Sequence, residues 1–312
     1  MPEGHTIHRL ATRHRALFAG QVVHLSSPQG RFAAGAALLS GRTLTDTEAY
    51  GKHLLHHYEG DLTTHVHLGL YGRFTDGEPP VPAPVGQLRM RMTTDRHWLD
   101  LRGPTACEVF EPARVAELKA RLGADPLRDD ADGATAYPRV VASTRPIFAL
   151  LLDQSIVAGC GLIYANEVLF RAGLAPTVPG RQIEPRCWQE LWDDLRALMK
   201  EGVVRGRIDT VHSAHTPEAM KRAPRTDRHG GEVYVYRRPG QPCHLCGTTI
   251  ERGPLAGRNL YWCPVCQPVV TPRARRTGSA RPATSARPAS SPRPASASRT
   301  SGSAASRSGS AR

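Results

Sequence analysis

Residues 243–266 read CHLCGTTIERGPLAGRNLYWCPVC, two Cys-x-x-Cys pairs (Cys243/Cys246 and Cys263/Cys266) separated by sixteen residues. Each pair fits a tight turn that aims two sulfurs at one ion, and a hairpin between the turns closes a tetrahedron. The spacing predicts a four-thiolate zinc ribbon. Four protein ligands leave the metal no open position, so one structural Zn2+ is expected and the chemistry must lie elsewhere. No organic cofactor is expected. The hairpin sets Arg258 at a Gly257–Arg258–Asn259 tip, where a guanidinium is suited to gripping phosphate, although a surface arginine in a turn is ordinarily only solvated. The other cysteines, Cys107, Cys160 and Cys187, sit in apolar surroundings and read as small core residues. Seven cysteines in 312 residues do not make a disulfide scaffold.

Towards the N-terminus the pattern is helical. PRCWQELWDDLRALMKEG opens on Pro185, lines one side with Trp188, Leu191, Trp192, Leu195, Leu198 and Met199, and stops at Gly202. PIFALLLDQ and IYANEVLFRAG flank a Gly159–Cys160–Gly161 turn. Residues 124–144 are polar and irregular and read as a linker. Before them come short strand-like runs: QVVHLSS, GKHLLHHYE, LTTHVHLGL, QLRMRMTT, HWLDLR and ACEVF. In QLRMRMTT, Leu88, Met90 and Met92 alternate with Arg89 and Arg91. This spacing predicts an antiparallel sandwich or barrel, closed by a helix over 112–123. A first helix is expected over 6–18 with Thr6 as its cap. The fold class is α+β, multidomain.

The formal net charge is +13, and nine of those charges are arginines in residues 271–312. That segment holds only Arg, Pro, Ser, Ala, Gly and Thr, so it cannot bury enough apolar area to offset ordering entropy and is expected to be a disordered basic tail. Residues 1–270 keep about +4. A polyanionic partner follows, with the tail either a solvated appendage or a sequence-blind tether acting through counterion release. No run approaches the roughly 20 apolar residues of a membrane helix, and MPEGHTIHRL lacks the apolar core of a secretory signal, so a cytoplasmic location without a membrane partner is expected.

The N-terminus carries a chemical possibility. Removal of Met1 before the small Pro2 is expected, and it would expose a secondary amine. Such an amine attacks an aldehyde-like carbon to give an iminium that is cationic without protonation. Its reference pKa of about 8, against about 10.4 for lysine, leaves more free base near neutral pH. Glu3 stands next to it as a general acid and base.

Together, MPEG, the GKHLL around Lys52, LLDQSIVAGCGLIYANEVLFRAGL and the terminal CHLC…YWCPVCQ resemble the formamidopyrimidine-DNA glycosylase / endonuclease VIII family across residues 2–267. The ribbon alone would not suffice, since similar ribbons occur in some tRNA synthetases and transcription proteins. The resemblance implies a β-sandwich catalytic domain (2–123), the linker (124–144), a helix–two-turn–helix DNA-binding domain (145–236), a zinc finger (237–267) and the tail (268–312). It implies a monomer acting on damaged double-stranded DNA as a bifunctional glycosylase and AP lyase. Pro2 would be the nucleophile and Glu3 the proton donor. Lys52 would contact phosphate beside the lesion, and Arg258 would hold phosphate near the flipped nucleotide. Leu70 and Tyr71, after the strand LTTHVHL, would wedge into the vacated stack, or Leu70 would be an ordinary buried strand residue.

Three positions depart from the family pattern. Leu162 stands where the family's G-x-G-N-I-Y-A turn has an Asn that contacts phosphate, which implies weakened DNA positioning unless backbone N–H groups of the turn compensate. Pro104 is followed by Thr105, Ala106 and Cys107, where branches acting on 8-oxoguanine place Arg and Phe. Thr6 stands where many members carry Glu. The residues after Pro104, with the PEG opening and the Leu70–Tyr71 wedge, favour an endonuclease VIII-like enzyme for oxidised pyrimidines. The alternatives are an 8-oxoguanine/formamidopyrimidine glycosylase and a non-catalytic damaged-DNA-binding protein.

Overall fold

A computed structural model of the chain describes residues 2–226 and 231–269. The expected tail lies outside the described residues from position 270 onward. No helix among the described residues is long and apolar enough to cross a membrane.

The N-terminal half holds α1 (Gly4–Phe18), β1 (Gln21–Ser26), α2 (Ala33–Leu39), β2 (Arg42–Tyr50), β3 (His53–Tyr58) and β4 (Leu62–His67). It continues through β5 (Arg73–Gly77), β6 (Leu88–Thr93), β7 (Trp98–Arg102), β8 (Ala106–Phe110) and α3 (Pro112–Arg121). The strands run in the order β5-β7-β6-β1-β2-β3-β4-β8. β1 pairs through Gln21–Val23 with β2 and through His24–Ser26 with β6, both antiparallel, so one strand serves two sheets and folds them face to face. Phe18, Val23, Leu54, Val66, Met90, Met92, Leu99 and Leu101 fill the space between them. The alternation in QLRMRMTT is realised, with Leu88, Met90 and Met92 fully buried. Arg91, on the opposite face, is also covered, because it makes a two-pronged ion pair with the buried Asp100 at 2.7 and 2.8 Å.

α1 begins two residues before the expected Thr6 cap. Glu3 occupies the cap position without a side-chain cap bond, and the Gly4 N–H donates to the Gly159 carbonyl at 2.9 Å. A Cβ at Gly4 would lie 2.7 Å from Met199 Cε, so a close tertiary approach, not local capping, sets this helix start.

The second half holds α4 (Gly133–Val141), α5 (Ile147–Leu151), α6 (Leu162–Arg171) and α7 (Pro185–Arg205). α4 lies inside the stretch expected to be a linker. Its Ala136 and Val140 belong to the same core as α5, α6 and α7. Asp132 caps it by accepting from the Ala134 N–H at 2.8 Å, and the internal Pro138 together with the polar flanks hid the helix in the sequence. α7 runs through Gly202 and ends at Gly206, which takes the left-handed conformation with φ 71°. Gly202 is small because a Cβ there would meet the Tyr164 hydroxyl at 2.4 Å.

The ribbon hairpin, β9 (Glu251–Leu255) and β10 (Arg258–Trp262), is not a free-standing module. Ile250, Leu260, Tyr261, Cys243 and Cys263 pack into the helical core. Two adjacent side chains on α6 fasten the later segments to that core. Asn166 accepts the Tyr261 N–H at 2.7 Å. The fully buried Glu167 accepts N–H bonds from Tyr234, Val235 and Tyr236 at 2.7, 2.9 and 2.8 Å and the Thr210 hydroxyl at 2.6 Å.

Candidate active site and metal site

Glu3 is the centre of the site. Its side chain is fully buried, and its Oε1 accepts the Ile163 N–H at 2.9 Å. Gly161, the cap residue of α6, leaves room for it, since a Cβ there would stand 2.3 Å from Glu3 Cδ. A carboxylate from the first three residues thus fills the N-terminus of a helix in the other half of the chain, where backbone N–H groups and the helix dipole favour negative charge. Burial pushes the Glu3 pKa above its ordinary value of 4.5, against the pull of the Lys52 cation and of the backbone N–H groups at the head of α6. A carboxyl that keeps its proton to higher pH is suited to donating it. Its other oxygen, Oε2, is buried without a partner among the described residues.

Lys52 sits half-buried in the turn between β2 and β3 and makes no hydrogen bond or ion pair with the described residues. Its charge is the strongest single influence opposing burial at Glu3, which places the two side chains in one electrostatic neighbourhood. Gly51, just before it, has φ 57° and packs against the turn before α6, where a Cβ would meet Ala158 Cβ and Gly159 N at 3.1 Å. The structure therefore brings together residues 2–4, the Lys52 turn and the 158–163 turn, three segments the sequence offered separately.

Leu162 opens α6, half-buried, with its side chain against the helical core and its carbonyl accepting from Asn166 Nδ2 at 2.7 Å. Among the N–H groups that could hold phosphate in place of the missing Asn, that of Gly159 already donates to Gln154 Oε1 at 3.0 Å. The Ile163 N–H is taken by Glu3 Oε1 at 2.9 Å.

Leu70, Tyr71 and Arg258 stand apart from this cluster and bond to none of its members among the described residues. Leu70 and Tyr71 are 58% and 85% exposed at the tip after β4, so Leu70 is not a buried strand residue. Gly69 (φ 65°) lets the chain turn there, with Thr105 packed directly on it. Ala106 and Cys107 lie in β8, Cys107 being 7% exposed and facing the core. Arg258 is exposed at the start of β10, after a two-residue turn in which Ala256 and Gly257 both have positive φ.

The four ribbon cysteines present sulfurs that all lie within 4.8 Å of one another. Cys243–Cys266, Cys246–Cys263 and Cys246–Cys266 are 3.8, 3.4 and 3.5 Å apart. Zinc–sulfur bonds of about 2.3 Å require tetrahedral edges of about 3.8 Å, so the donor set fits one structural zinc. N–H groups of Leu245 and Cys266 point at Cys243 and Cys263 sulfurs at 3.4 and 3.5 Å, as thiolate ligands require.

Sequence reading missed Asp125, which is fully buried and accepts from the Gly51 N–H and from His8 Nε2, each at 2.7 Å. It also missed Tyr164, whose buried hydroxyl has no partner among the described residues. Asp125 stands in no motif, and Tyr164, though part of the G-x-G-N-I-Y-A turn, is marked there by no chemical signal of its own.

Comparison with known proteins agrees with this architecture. Family models match residues 1–107 (formamidopyrimidine-DNA glycosylase N-terminal domain), 122–213 (its H2TH domain) and 240–269 (zinc finger found in FPG and IleRS). Endonuclease 8 1 of Mycobacterium tuberculosis is 50% identical over 274 residues, covering 86% of this chain and all of that protein. Formamidopyrimidine-DNA glycosylase of Thermus thermophilus is 33% identical over 281 residues, covering 86% and 98%. The Lactococcus lactis Fpg, solved in complex with an abasic site containing DNA, has the same fold, with a TM-score of 0.69 at 23% identity over 85% of this chain and 99% of that one.

Proposed function

Since the chain belongs to the formamidopyrimidine-DNA glycosylase / endonuclease VIII family and is a DNA-repair glycosylase, we propose that it removes oxidised bases, pyrimidines foremost, from duplex DNA and then nicks the strand. The observation that carries this reading is the buried carboxyl of Glu3, raised in pKa and held at a helix N-terminus one residue from Pro2.

In the proposed reaction Met1 has been removed and the target nucleotide is extruded from the stack, at a cost of a few kcal/mol. The uncharged Pro2 nitrogen attacks sugar C1′, and the glycosidic bond breaks with its electron pair leaving on the base, which takes up the proton that the nitrogen sheds. Glu3 gives its proton to O4′ as the C1′–O4′ bond opens, and the nitrogen, having lost its own proton, becomes an iminium. Loss of a C2′ proton then expels the 3′ phosphate, and a second elimination expels the 5′ phosphate. Lys52 and Arg258, neither engaged by the described residues, clamp phosphates. Leu70 and Tyr71 fill the vacated stack, which their exposure favours. The structural zinc holds the hairpin that presents Arg258 and takes no part in bond changes. The enzyme acts as a monomer.

Preference for pyrimidines rests on the 50% identity to a protein named endonuclease 8 1. It rests also on the segment Thr105–Ala106–Cys107, which offers neither an intercalating ring nor a guanidinium. Borohydride trapping tests the reading. Duplexes with 5-hydroxyuracil or an abasic site should become linked to the mature N-terminus, and Pro2→Gly should slow this strongly. Faster trapping on 8-oxoguanine would reverse the preference, and no adduct on any lesion would leave a damage-binding protein without chemistry.

A further inference from the structure

Lys52 has no bond of its own among the described residues, so its position depends on whatever holds the Gly51–Lys52 turn. That turn is gripped from below by one carboxylate. Asp125, 0% exposed, takes the Gly51 N–H on Oδ2 at 2.7 Å. The same oxygen takes His8 Nε2 at 2.7 Å, and His8 lies on α1, the helix that starts directly after Glu3. Its other oxygen accepts the Leu127 N–H at 3.0 Å, which locks the carboxylate plane. The backbone around Asp125 is tied to the helical half in turn. Gly123 N–H donates to the Gln154 carbonyl, and Ala158 N–H donates to the Ala124 carbonyl, both at 2.9 Å. Residues 123–127 are therefore spliced between the halves, and their one buried acid touches both segments that carry the proposed chemistry.

We propose that Asp125 is a positioning residue for the reaction, setting the Lys52 ammonium relative to Glu3 and the N-terminus by fixing the Gly51 amide and α1 to a single oxygen atom. The inference rests on the reading of Lys52 and Pro2 given above. A buried carboxylate with three donors is costly to alter, because removing it leaves those donors unsatisfied. Asn at this position keeps the volume but cannot accept from Gly51 and His8 through the atom it turns into an NH2 group.

A double-mutant cycle on the full chain tests it, using borohydride trapping on an abasic-site duplex and affinity for a tetrahydrofuran-containing duplex as the two measurements. Asp125→Asn in the wild-type background should slow trapping about ten- to thirty-fold. In a Lys52→Met background it should slow it less than about threefold, the non-additivity expected when one residue acts through another. Equal losses in both backgrounds, or no loss in the first, would overturn the proposal, because a general structural defect is additive and an idle residue has no effect. A wild-type chain that traps nothing would sink the glycosylase reading, and this inference with it. If Asp125→Asn does not fold, hydrogen exchange of the Gly51 amide in the wild type decides. Strong protection supports the clamp, and exchange at the rate of an open turn refutes it.

Discussion

Glu3 Oε1 accepts the backbone N–H of Ile163 at 2.9 Å, across 160 residues of sequence. This bond joins the first residues of the chain to the head of α6, and it is made by a carboxyl that burial biases towards its protonated form. Glu3→Gln should therefore separate chemistry from stability. The amide oxygen can still accept from Ile163, while proton donation is lost, so single-turnover excision should fall about 100- to 10,000-fold. The folded-state pKa is raised above 4.5, so the folded protein binds more protons than the unfolded chain in the window just above that value, and wild-type stability falls as pH rises through it. The glutamine variant has no such fall. Its melting temperature should match or exceed that of the wild type at pH 7, with the difference vanishing in acid.

The acid limb of stability should come in part from two histidines in the sandwich core. His14 Nδ1 and His56 Nε2 are 3.0 Å apart, both side chains are fully buried, and burial pushes His14 down to about 3 and His56 well below 6.5. The unfolded chain takes up protons near pH 6.5 that the folded one refuses, so stability present above that pH is lost as pH falls. The slope approaches about 1.4 kcal/mol per pH unit for each ring. Urea midpoints of His14→Phe measured from pH 7 to 5 should decline less steeply than those of the wild type; a parallel decline would refute the assignment.

Leu162→Asn should trade stability for DNA affinity. A regained charge-assisted bond of about 1.5–3 kcal/mol corresponds to roughly ten- to hundredfold tighter binding of an abasic-analogue duplex. Removing an apolar side chain that packs on the helical core should lower the melting temperature. Unchanged affinity in a salt titration would show that position 162 does not face phosphate.

Arg258→Gln should weaken binding about equally for all sequences and reduce the slope of log affinity against log salt by about one. Deleting residues 271–312, with their nine arginines, should flatten that slope further while leaving the excision rate constant intact.

Zinc removal should reach beyond the ribbon. Cys243 and Cys263 belong to the core that also contains Trp188 and Trp192 of α7, so chelation or Cys263→Ser should shift the tryptophan fluorescence as well as abolish DNA binding. With the ribbon's own tryptophan removed by Trp262→Phe, a ribbon that unfolds with unchanged emission would contradict that shared core.

The zinc ribbon, the alternating strands and the long amphipathic α7 were legible because each is a local pattern of period or spacing. α4 was not, since a nine-residue helix with an internal proline and polar flanks has no clear periodicity, and only packing of Ala136 and Val140 reveals it. The start of α1 and the continuation of α7 through Gly202 were misplaced for a related reason. Glycines that read as stops or spacers are there because Gly159, Met199 and Tyr164 come too close for a Cβ. At the site, Pro2, Glu3, Lys52 and Arg258 could be named from motifs. The coupling of Glu3 to α6, and of Asp125 to Gly51 and His8, lies in contacts between distant segments that no single stretch of sequence encodes.

Glu167 has a consequence of a different kind. By collecting the amides of 234–236 and the hydroxyl of Thr210 on one carboxylate, it pinches the chain shut at the base of the excursion between them. The described residues of that excursion add bonds of their own: the His212 N–H donates to the Tyr234 hydroxyl at 2.9 Å, and Arg222 pairs with Glu232 at 2.7 Å. On chain entropy alone, doubling that length costs about 0.6 kcal/mol. Lengthening the excursion is therefore cheap in closure entropy, whereas exchanging it outright would also forfeit those bonds.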